Sequence, residues 1–354
     1  MRVAVLGVGL IGGSVALAAR QRAGATVTGY DPSGDALDAA LRRGALDDAR
    51  DDPAAAVRDA DAVFAAAPVS RLEALVGAAL AAAPMECVVT DVGSTKRAVV
   101  AAHDDPRFVG GHPLAGAETA GVAHARADLF DGAVWYLTPR ERTSGELYER
   151  LYRLLASLGA RPMAIDAEAH DRMLAAVSHL PHVLANVLVA QAAAALGGER
   201  LPAIGPSFRD ATRVAGAPSA IWTDIYVSNR DALIAELDGT IERLRGVRGS
   251  LAAADGAGLT AWNEAAAGDR RRLLERDLAG GSTFELRVSV PNRPGVVARL
   301  ALELGDAGVN ITDMALYPAA DRSTGVIALW VAGEAALARA TELIENLGFP
   351  VARP

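Results

Sequence analysis

The chain of 354 residues contains a single cysteine, Cys87, which stands in an apolar run. One cysteine excludes an intramolecular disulfide framework and a cysteine-based zinc site, and it is typical of proteins kept in a reducing compartment. We therefore expect a cytoplasmic protein. The two neighbouring histidines of a helical segment, His179 and His182, lack a third ligand at a typical spacing, so no metal site is expected.

Basic residues are also in the minority, with a formal net charge of −8 at pH 7 and a pI near 5.3. Nucleic acids and anionic membranes both require a basic face, so neither is an expected partner. Long apolar runs are missing as well, because Arg, Asp, Pro or Gly interrupt the alanine-rich stretches. The sequence therefore predicts no membrane-spanning segment.

What is present is a glycine-rich segment, GVGLIGGS, between an apolar run and a helix-like stretch. Gly7 allows a tight turn, Gly9 lets the backbone approach a pyrophosphate, and Gly12 permits close packing of the helix. Backbone N–H groups at Leu10 and Ile11, where the helix begins, face such a diphosphate. The segment predicts a dinucleotide-binding loop.

A predicted strand, Thr26 to Tyr30, ends at Asp31. Asp31 thus follows the glycine-rich segment by about 20 residues, which is the spacing at which a carboxylate accepts hydrogen bonds from the adenosine ribose hydroxyls. Such a carboxylate would repel a 2′-phosphate, so the predicted cofactor is NAD rather than NADP. The alternative is a glycine-rich turn followed by a surface carboxylate.

The first 165 residues alternate strand and helix signals, which predicts a mostly parallel, doubly wound α/β sheet of Rossmann type. Ligands of such sheets bind beyond the carboxyl ends of the strands. Pro68, the segment Asp91 to Lys96 and His112 each follow a predicted strand. We expect them to line one crevice.

Residues 166–280 have the spacing of long helices instead. Apolar side chains recur every three or four residues at Met173, Leu174, Val177, Leu180, Leu184, Val187 and Leu188, and again at Leu233, Leu237, Ile241 and Leu244. Such faces pack against another surface, so we expect a homodimer. The predicted domains are therefore 1–165 for the nucleotide, 166–280 for substrate and dimerisation, and 283–354 for a βαββαβ unit of ferredoxin-like type.

These features resemble the prephenate dehydrogenase family of tyrosine biosynthesis, with a C-terminal ACT domain. The motifs that carry the resemblance are GVGLIGGS, DVGSTK at 91–96, GGHPLAGAE at 110–118, HDRMLAAVSHLPH at 170–182, FRDATRVAGAPSAIW at 208–222, and the PNRPG and GVNITD segments of the last 70 residues.

The resemblance implies an NAD-dependent oxidative decarboxylation of prephenate to 4-hydroxyphenylpyruvate. His112 matches the catalytic histidine that is hydrogen-bonded to the ring hydroxyl, and histidine's ordinary pKa of about 6.5 suits that task. Ser94 matches the serine that orients the hydroxyl and touches the cofactor.

Further site residues follow from the same motifs. Arg213 matches the arginine that binds a substrate carboxylate, although an ion pair with Asp210 would also explain it. Glu118 matches an acid at the pocket mouth. The remaining matches are His179, His182 and Trp222 beside the substrate. His170 is predicted to be structural and to support the site with Asp171, and a buried structural role stays open for His179 and Trp222.

The ACT resemblance implies an amino-acid effector near Asn292, Gly295 and Asn310, and L-tyrosine, the end product, is our hypothesis. Three alternatives stay open for the whole chain. The first is an arogenate dehydrogenase, because no motif distinguishes arogenate, with its side-chain amine, from prephenate. The second is a 3-hydroxy-acid or imine reductase built from the same cofactor domain and helical dimer, and the third is a non-catalytic sensor of NAD and amino acids. The reductases usually carry a catalytic lysine in the helical domain, whereas the single lysine here is Lys96.

Overall fold

The computed structural model describes residues 1–116, 119–197, 205–274, 283–319 and 323–353. It divides the chain into two compact units. The first comprises Met1–Asp171, Ala217–Ser228 and Thr283–Pro354, and the second comprises Arg172–Gly216 and Asn229–Ser282. The predicted Glu118 lies outside the described residues.

An eight-stranded sheet forms the centre of the first unit, in the order β3-β2-β1-β4-β5-β6-β7-β8. All neighbouring strands are parallel except β6 and β7. The strands are β1 (Arg2–Leu6), β2 (Thr26–Tyr30), β3 (Asp48–Arg50), β4 (Ala62–Ala65), β5 (Val88–Asp91), β6 (Phe108–Pro113), β7 (Val134–Thr138) and β8 (Arg161–Ala164). The mostly parallel α/β sheet predicted from the sequence is confirmed.

Helices cover this sheet, because its central strands are apolar on both faces and are buried throughout, as β4 and β5 are. The helices are α1 (Leu10–Ala23), α2 (Gly34–Arg42), α3 (Pro53–Val57), α4 (Val69–Ala82), α5 (Arg97–Ala102) and α6 (Gly145–Ser157). Ser144 caps α6 by accepting from the Leu147 N–H, and Ser33 caps α2 in the same way. The strand ends that carry the predicted site therefore project from a rigid, buried framework.

The second unit is helical within the described residues. Its helices are α8 (Leu180–Ala195), α9 (Pro206–Thr212), α11 (Arg230–Ala252) and α12 (Gly256–Leu274). Of the other two helices, α7 (Ala167–Leu174) spans the boundary between the units, and α10 (Ser219–Ser228) belongs to the first unit. A π-helical turn, Ala175–His179, joins α7 to α8. Pro181 occupies the first turn of α8, where its missing N–H costs no hydrogen bond. The chain therefore widens into a π-helical turn just before Pro181.

The stretch Ala167–Ala195 is long and apolar enough to cross a membrane, judged by length and composition alone. Its charged residues, Glu168, Asp171 and Arg172, all lie in the first turns, and the rest of the stretch is rich in alanine, which counts as apolar. One helix of this kind is weak support for a membrane span. Its exposed apolar side chains include Val177, Val187 and Leu188.

The C-terminal domain is an antiparallel sheet in the order β10-β11-β9-β12 with two helices on it. Its elements are β9 (Thr283–Pro291), α13 (Val296–Asp306), β10 (Ile311–Pro318), β11 (Thr324–Ala332), α14 (Glu334–Asn346) and β12 (Val351–Ala352). The predicted βαββαβ order is confirmed.

This C-terminal domain packs against the nucleotide-type domain within the first unit. The Tyr152 hydroxyl of α6 donates to the Ile311 carbonyl at 2.8 Å in a buried position. Gly305 of α13 lies so close to β8 that a Cβ there would overlap the Ala164 carbonyl oxygen. Gly295 has φ +86° and meets the Glu141 carbonyl in the same manner. Glycine is needed at both contacts because backbone faces backbone.

We expect Gly305→Ala to destabilise the protein by about 1–3 kcal/mol, because the added methyl group must displace backbone of β8. The matched control is Gly249→Ala in α11, where a Cβ would meet nothing within 4 Å. Alanine there should stabilise its helix by about 0.5–1 kcal/mol. Urea unfolding measures both changes, and equal effects of the two substitutions would contradict the close contact.

Candidate active site

The glycine loop after β1 has the geometry that a dinucleotide needs. Gly7 has φ +101°, and a Cβ there would overlap the Ala66 carbonyl oxygen. A Cβ at Gly12 would overlap the Gly7 carbonyl oxygen, so α1 starts directly against the loop. Gly9, by contrast, faces open space with nothing within 4 Å. Leu10 begins α1 without a side-chain cap, so the first N–H groups there are presented to a diphosphate.

Asp31 directly follows β2 and holds the loop in place. Its Oδ2 accepts from the Val8 N–H at 2.7 Å, and its Oδ1 accepts from the Ser33 N–H at 2.9 Å. The carboxylate remains partly exposed beside the loop. The cradle at Gly9 and this carboxylate therefore fit an NAD molecule whose ribose hydroxyls donate to Asp31.

A buried ion pair joins the next two strand ends. Lys96 and Asp91 are both fully buried, and the Lys96 ammonium donates to Asp91 Oδ2. Asp91 also accepts from the Gly93 N–H at 2.8 Å and the Gly111 N–H at 3.1 Å. Burial lowers the pKa of Lys96 from its ordinary value, and the Asp91 charge opposes this shift. The pair ties β5, the following loop and β6 together.

His112 lies inside β6, opposite Tyr136 of β7, and does not follow the strand as predicted. The two preceding glycines serve close strand packing instead. A Cβ at Gly111 would lie 2.5 Å from the Asp91 carbonyl oxygen, and one at Gly110 would overlap the Thr138 hydroxyl. The strand still ends at the carboxyl edge of the sheet, so His112 shares that edge with the glycine loop.

His112 is linked to two further buried groups. Its Nδ1 lies 2.8 Å from His170 Nε2, and His170 Nδ1 lies 2.8 Å from Asp171 Oδ1. We call His112, His170 and Asp171 the triad. Its members are at most 8% exposed. The Tyr136 ring packs edge-on against His170, with ring centroids 5.6 Å apart.

Asp171 is held as a carboxylate. Its Oδ1 accepts from the Lys96 N–H at 2.7 Å and its Oδ2 from the Arg97 N–H at 3.0 Å. Burial alone would raise the pKa of Asp171, but the hydrogen bonds from His170, Arg97 and Lys96 outweigh it and lower the pKa. Burial lowers the pKa of His170 more than Asp171 raises it, so His170 is neutral near pH 7.

The remaining predicted substrate residues belong mostly to the second unit. His179 ends the π-helical turn, is 1% exposed, and accepts from Asn229 Nδ2 at 3.2 Å. His182 is 4% exposed and accepts from Asn186 Nδ2 at 3.2 Å. Burial lowers the pKa of His182, and a hydrogen bond with the Val214 backbone opposes the shift. His182 thus contacts the turn that begins at Arg213.

Arg213 itself is exposed and follows α9 at the start of a short turn. Three other predicted residues lie in the first unit. Trp222 stands on α10 beside Tyr226, with ring centroids 5.7 Å apart, and α10 packs against α4. Pro68 is the residue immediately before α4. Ser94 lies partly exposed in the loop after β5.

The predicted effector residues are spread around the start of α13 and β10. Gly295 precedes α13, and its N–H donates to the Thr143 carbonyl at 3.4 Å. The Asn292 N–H donates to the Ser323 carbonyl at 3.0 Å. The Asn310 side-chain oxygen is buried and has no hydrogen-bond partner among the described residues. The segment around Gly295 therefore contacts the nucleotide-type domain of its own chain.

The sequence placed the segment Asp91 to Lys96 at the crevice but did not predict the ion pair between Asp91 and Lys96. A signal for that pair was present, since two opposite charges stand five residues apart within a motif that follows a buried strand. The link from His170 to His112 had no such signal, because the two residues are 58 positions apart.

Three family models match the chain. The nucleotide-binding domain of prephenate dehydrogenase matches residues 15–164, its dimerization domain matches residues 166–264, and the ACT domain matches residues 284–349. The chain belongs to the prephenate dehydrogenase family. It is accordingly an NAD-dependent oxidoreductase with a dimerisation domain and a C-terminal ACT domain.

Individual relatives agree with this assignment. Prephenate dehydrogenase of Bacillus subtilis is 33% identical over 97% of this chain and 95% of its own length. The crystal structure of Aquifex aeolicus prephenate dehydrogenase, in complex with hydroxyphenyl propionate and NAD+, matches with a TM-score of 0.70 and 26% identity over 77% of this chain and 98% of that one. The crystal structure of Synechocystis arogenate dehydrogenase matches with a TM-score of 0.65 and 28% identity, over 77% of this chain and 100% of that one.

We expect Lys96→Met to destabilise the protein by about 3–5 kcal/mol, because Asp91 would remain buried without its counter-charge. The matched control is Arg245→Met, which breaks an exposed pair with Glu242 and should cost less than about 1 kcal/mol. In a double-mutant cycle, Asp91→Asn together with Lys96→Met should cost less than the sum of the single changes. Strict additivity in urea unfolding would show that the pair contributes nothing.

Proposed function

We propose that this family member acts as a prephenate dehydrogenase, converting prephenate and NAD+ to 4-hydroxyphenylpyruvate, CO2 and NADH. The observation that carries the proposal is the buried His112, held in its triad at the same sheet edge as the glycine loop and Asp31. A proton acceptor and a dinucleotide cradle at one edge suit the oxidation of an alcohol.

The chemistry requires little beyond orientation and one proton acceptor. NAD+, when bound, supplies the acceptor for the hydride that leaves the ring carbon bearing the hydroxyl. His112 takes the hydroxyl proton, and the bond from the ring to its carboxylate breaks to release CO2. The electron pair of that bond enters the ring and makes it aromatic, and the oxygen, now a phenolate, takes back the proton that His112 holds to give the 4-hydroxyl group. Aromatisation renders the whole step strongly downhill.

Substrate-binding roles are proposed from the matching motifs. Ser94 orients the ring hydroxyl, and Arg213 binds a substrate carboxylate through the fork of its guanidinium. His179 and His182 shape the pocket around the pyruvyl side chain. Trp222 and Glu118 complete the proposed set. Arg213 is exposed at the start of the turn that follows α9.

We further propose that the active protein is a cytoplasmic homodimer. The described part of the second unit carries large exposed apolar side chains on three helices, among them Val187, Leu188, Ile241, Leu244 and Trp262. Faces of this kind bury themselves against another surface, and a second copy supplies a self-complementary one. The family's dimerization domain covers the same residues.

We also propose that L-tyrosine binds at the ACT domain and inhibits the enzyme. A cavity of about 170 Å³ lies where the domain meets its neighbour, and it is lined by residues that include Arg142, Glu146, Asn292 and Arg293. Guanidinium groups bind an amino-acid carboxylate, and Glu146 offers a partner for the ammonium group.

Mixing the purified full-length protein with NAD+ and prephenate should produce NADH, measured as absorbance in a spectrophotometer. We expect His112→Asn to lower kcat by about 10²-fold or more, since it removes the general base. Affinity for NAD+ should change little because the glycine loop is intact. Arogenate run in parallel determines the preferred substrate.

A matched control is His124→Asn, which changes an exposed histidine of the same domain and should keep wild-type turnover. If wild-type protein forms no NADH from prephenate, the proposed substrate is wrong. Wild-type turnover in His112→Asn would instead remove this histidine from the mechanism.

Millimolar L-tyrosine should raise the melting temperature and lower the rate of NADH formation, since a ligand that binds only the folded protein stabilises it. L-alanine, which shares the ammonium and carboxylate groups but lacks the ring, is the control and should do neither. Unchanged activity and unchanged melting temperature with L-tyrosine would refute the effector proposal.

A further inference from the structure

The triad determines which nitrogen of His112 carries its proton. A neutral imidazole has one N–H and one lone pair, and each ring nitrogen is therefore either a donor or an acceptor. Asp171 is a carboxylate that accepts from two backbone N–H groups. It can only accept from the facing ring nitrogen, so His170 Nδ1 is the protonated nitrogen of that ring.

The second step follows from the first. Because neutral His170 keeps its proton on Nδ1, its Nε2 presents a lone pair to His112 at 2.8 Å. His112 Nδ1 must then be a donor, and the His112 lone pair lies on Nε2. That is the only arrangement of a neutral His112 in which both 2.8 Å contacts are hydrogen bonds.

We propose that His170 and Asp171 are positioning residues that hold His112 in the Nδ1–H tautomer, which makes Nε2 the atom that accepts the substrate's hydroxyl proton. The inference rests on the proposed function, since the proton acceptor is His112. Neither residue touches the reacting atoms. They act as the aspartate does in serine proteases, where it fixes the tautomer of the catalytic histidine and stabilises its charged form.

The arrangement also favours the charged state that His112 reaches during the reaction. When Nε2 takes the proton, His112 becomes an imidazolium that still donates from Nδ1 to His170. The carboxylate of Asp171 lies behind His170, and its negative charge stabilises the cation through the intervening ring. His170 and Asp171 thereby help His112 to accept the proton, and no second proton moves.

The surroundings make the arrangement rigid. His170 is fully buried, and the edge-on rings of His112 and Tyr136 confine it on two sides. Asp171 is fixed by the backbone of Lys96 and Arg97, at the start of α5. Lys96 is itself fixed by Asp91, which binds the Gly111 N–H next to His112. These hydrogen bonds therefore connect His112 on β6, through the triad and the Lys96–Asp91 pair, back to Gly111 on the same strand.

The direct test is ¹⁵N NMR of the full-length protein with labelled histidine and bound NAD+, in which the chain's six histidines give few signals. His112→Asn and His170→Gln identify the two relevant sets of resonances. We expect both His112 and His170 to be protonated on Nδ1 and unprotonated on Nε2. A His112 ring protonated on Nε2 would overturn the proposal, whatever the substrate is.

The kinetic test compares two substitutions of one residue. His170→Leu removes the acceptor for His112 Nδ1–H, and we expect kcat to fall by about 10²-fold or more with little change in KM. His170→Gln retains a carbonyl oxygen near the former Nε2 position and should recover at least about 10-fold of that loss. A purely structural role predicts no such recovery, because leucine fills an apolar site as well as glutamine does.

The matched control is His124→Leu, which should retain wild-type kcat, KM and tautomers. Circular dichroism and NAD+ affinity establish that each variant is folded. If wild-type protein turns over prephenate and His170→Leu does so equally well, the positioning role is refuted while the proposed function stands. If wild-type protein turns over neither prephenate nor arogenate, the proposed function fails, and the NMR result alone decides the tautomer.

Discussion

The carboxylate of Asp171 is the group on which the geometry of the site depends. It accepts from His170 on one side and from the Lys96 and Arg97 N–H groups on the other, and it is 1% exposed. Such a charge is tolerated in a low-dielectric interior only when hydrogen bonds replace its lost hydration. The donors must therefore stay where they are, and this requirement fixes the start of α5 relative to α7. Loss of a donor would leave the buried charge uncompensated and would destabilise the folded protein, so the same hydrogen bonds that stabilise the fold also maintain the triad.

The second buried carboxylate, Asp91, acts on the opposite side of the same short loop. It accepts hydrogen bonds from Lys96, Gly93 and Gly111. These bonds fix the position of β6, and so keep His112 within hydrogen-bonding distance of His170. Lys96 pairs with Asp91, and the Arg97 guanidinium lies 3.6 Å from Asp171, so each carboxylate faces a positive charge. Ser94, in the loop between them, remains partly exposed. A rigid, prearranged loop costs nothing to reorganise when charge develops on His112, and this is the condition under which electrostatic stabilisation is most effective.

The fold and the cofactor site were largely predictable, because their signals are local. The glycine spacing of Gly7, Gly9 and Gly12 and the offset to Asp31 are set by the geometry of one β-α-β unit, so a short window of sequence contains them. The triad depends on contact between residues 58 positions apart, which only the folded chain provides. His112 was expected after its strand and lies inside it, and the two glycines before it, Gly110 and Gly111, explain the difference. Glycine permits a turn and close strand packing equally well, and the sequence does not distinguish the two uses.

The contact between the C-terminal domain and its neighbour gives the ACT domain a physical connection to the site. The segment around Thr143 accepts from the Gly295 N–H, and the adjacent Ser144 N–H donates to the Pro106 carbonyl just before β6. Arg140 donates to the Val100 carbonyl in α5, the helix that follows Lys96. A ligand in the cavity beside Asn292 would touch both domains at once, so its affinity would depend on how they are docked. By linkage, the docking of the two domains would respond to such a ligand by the same factor.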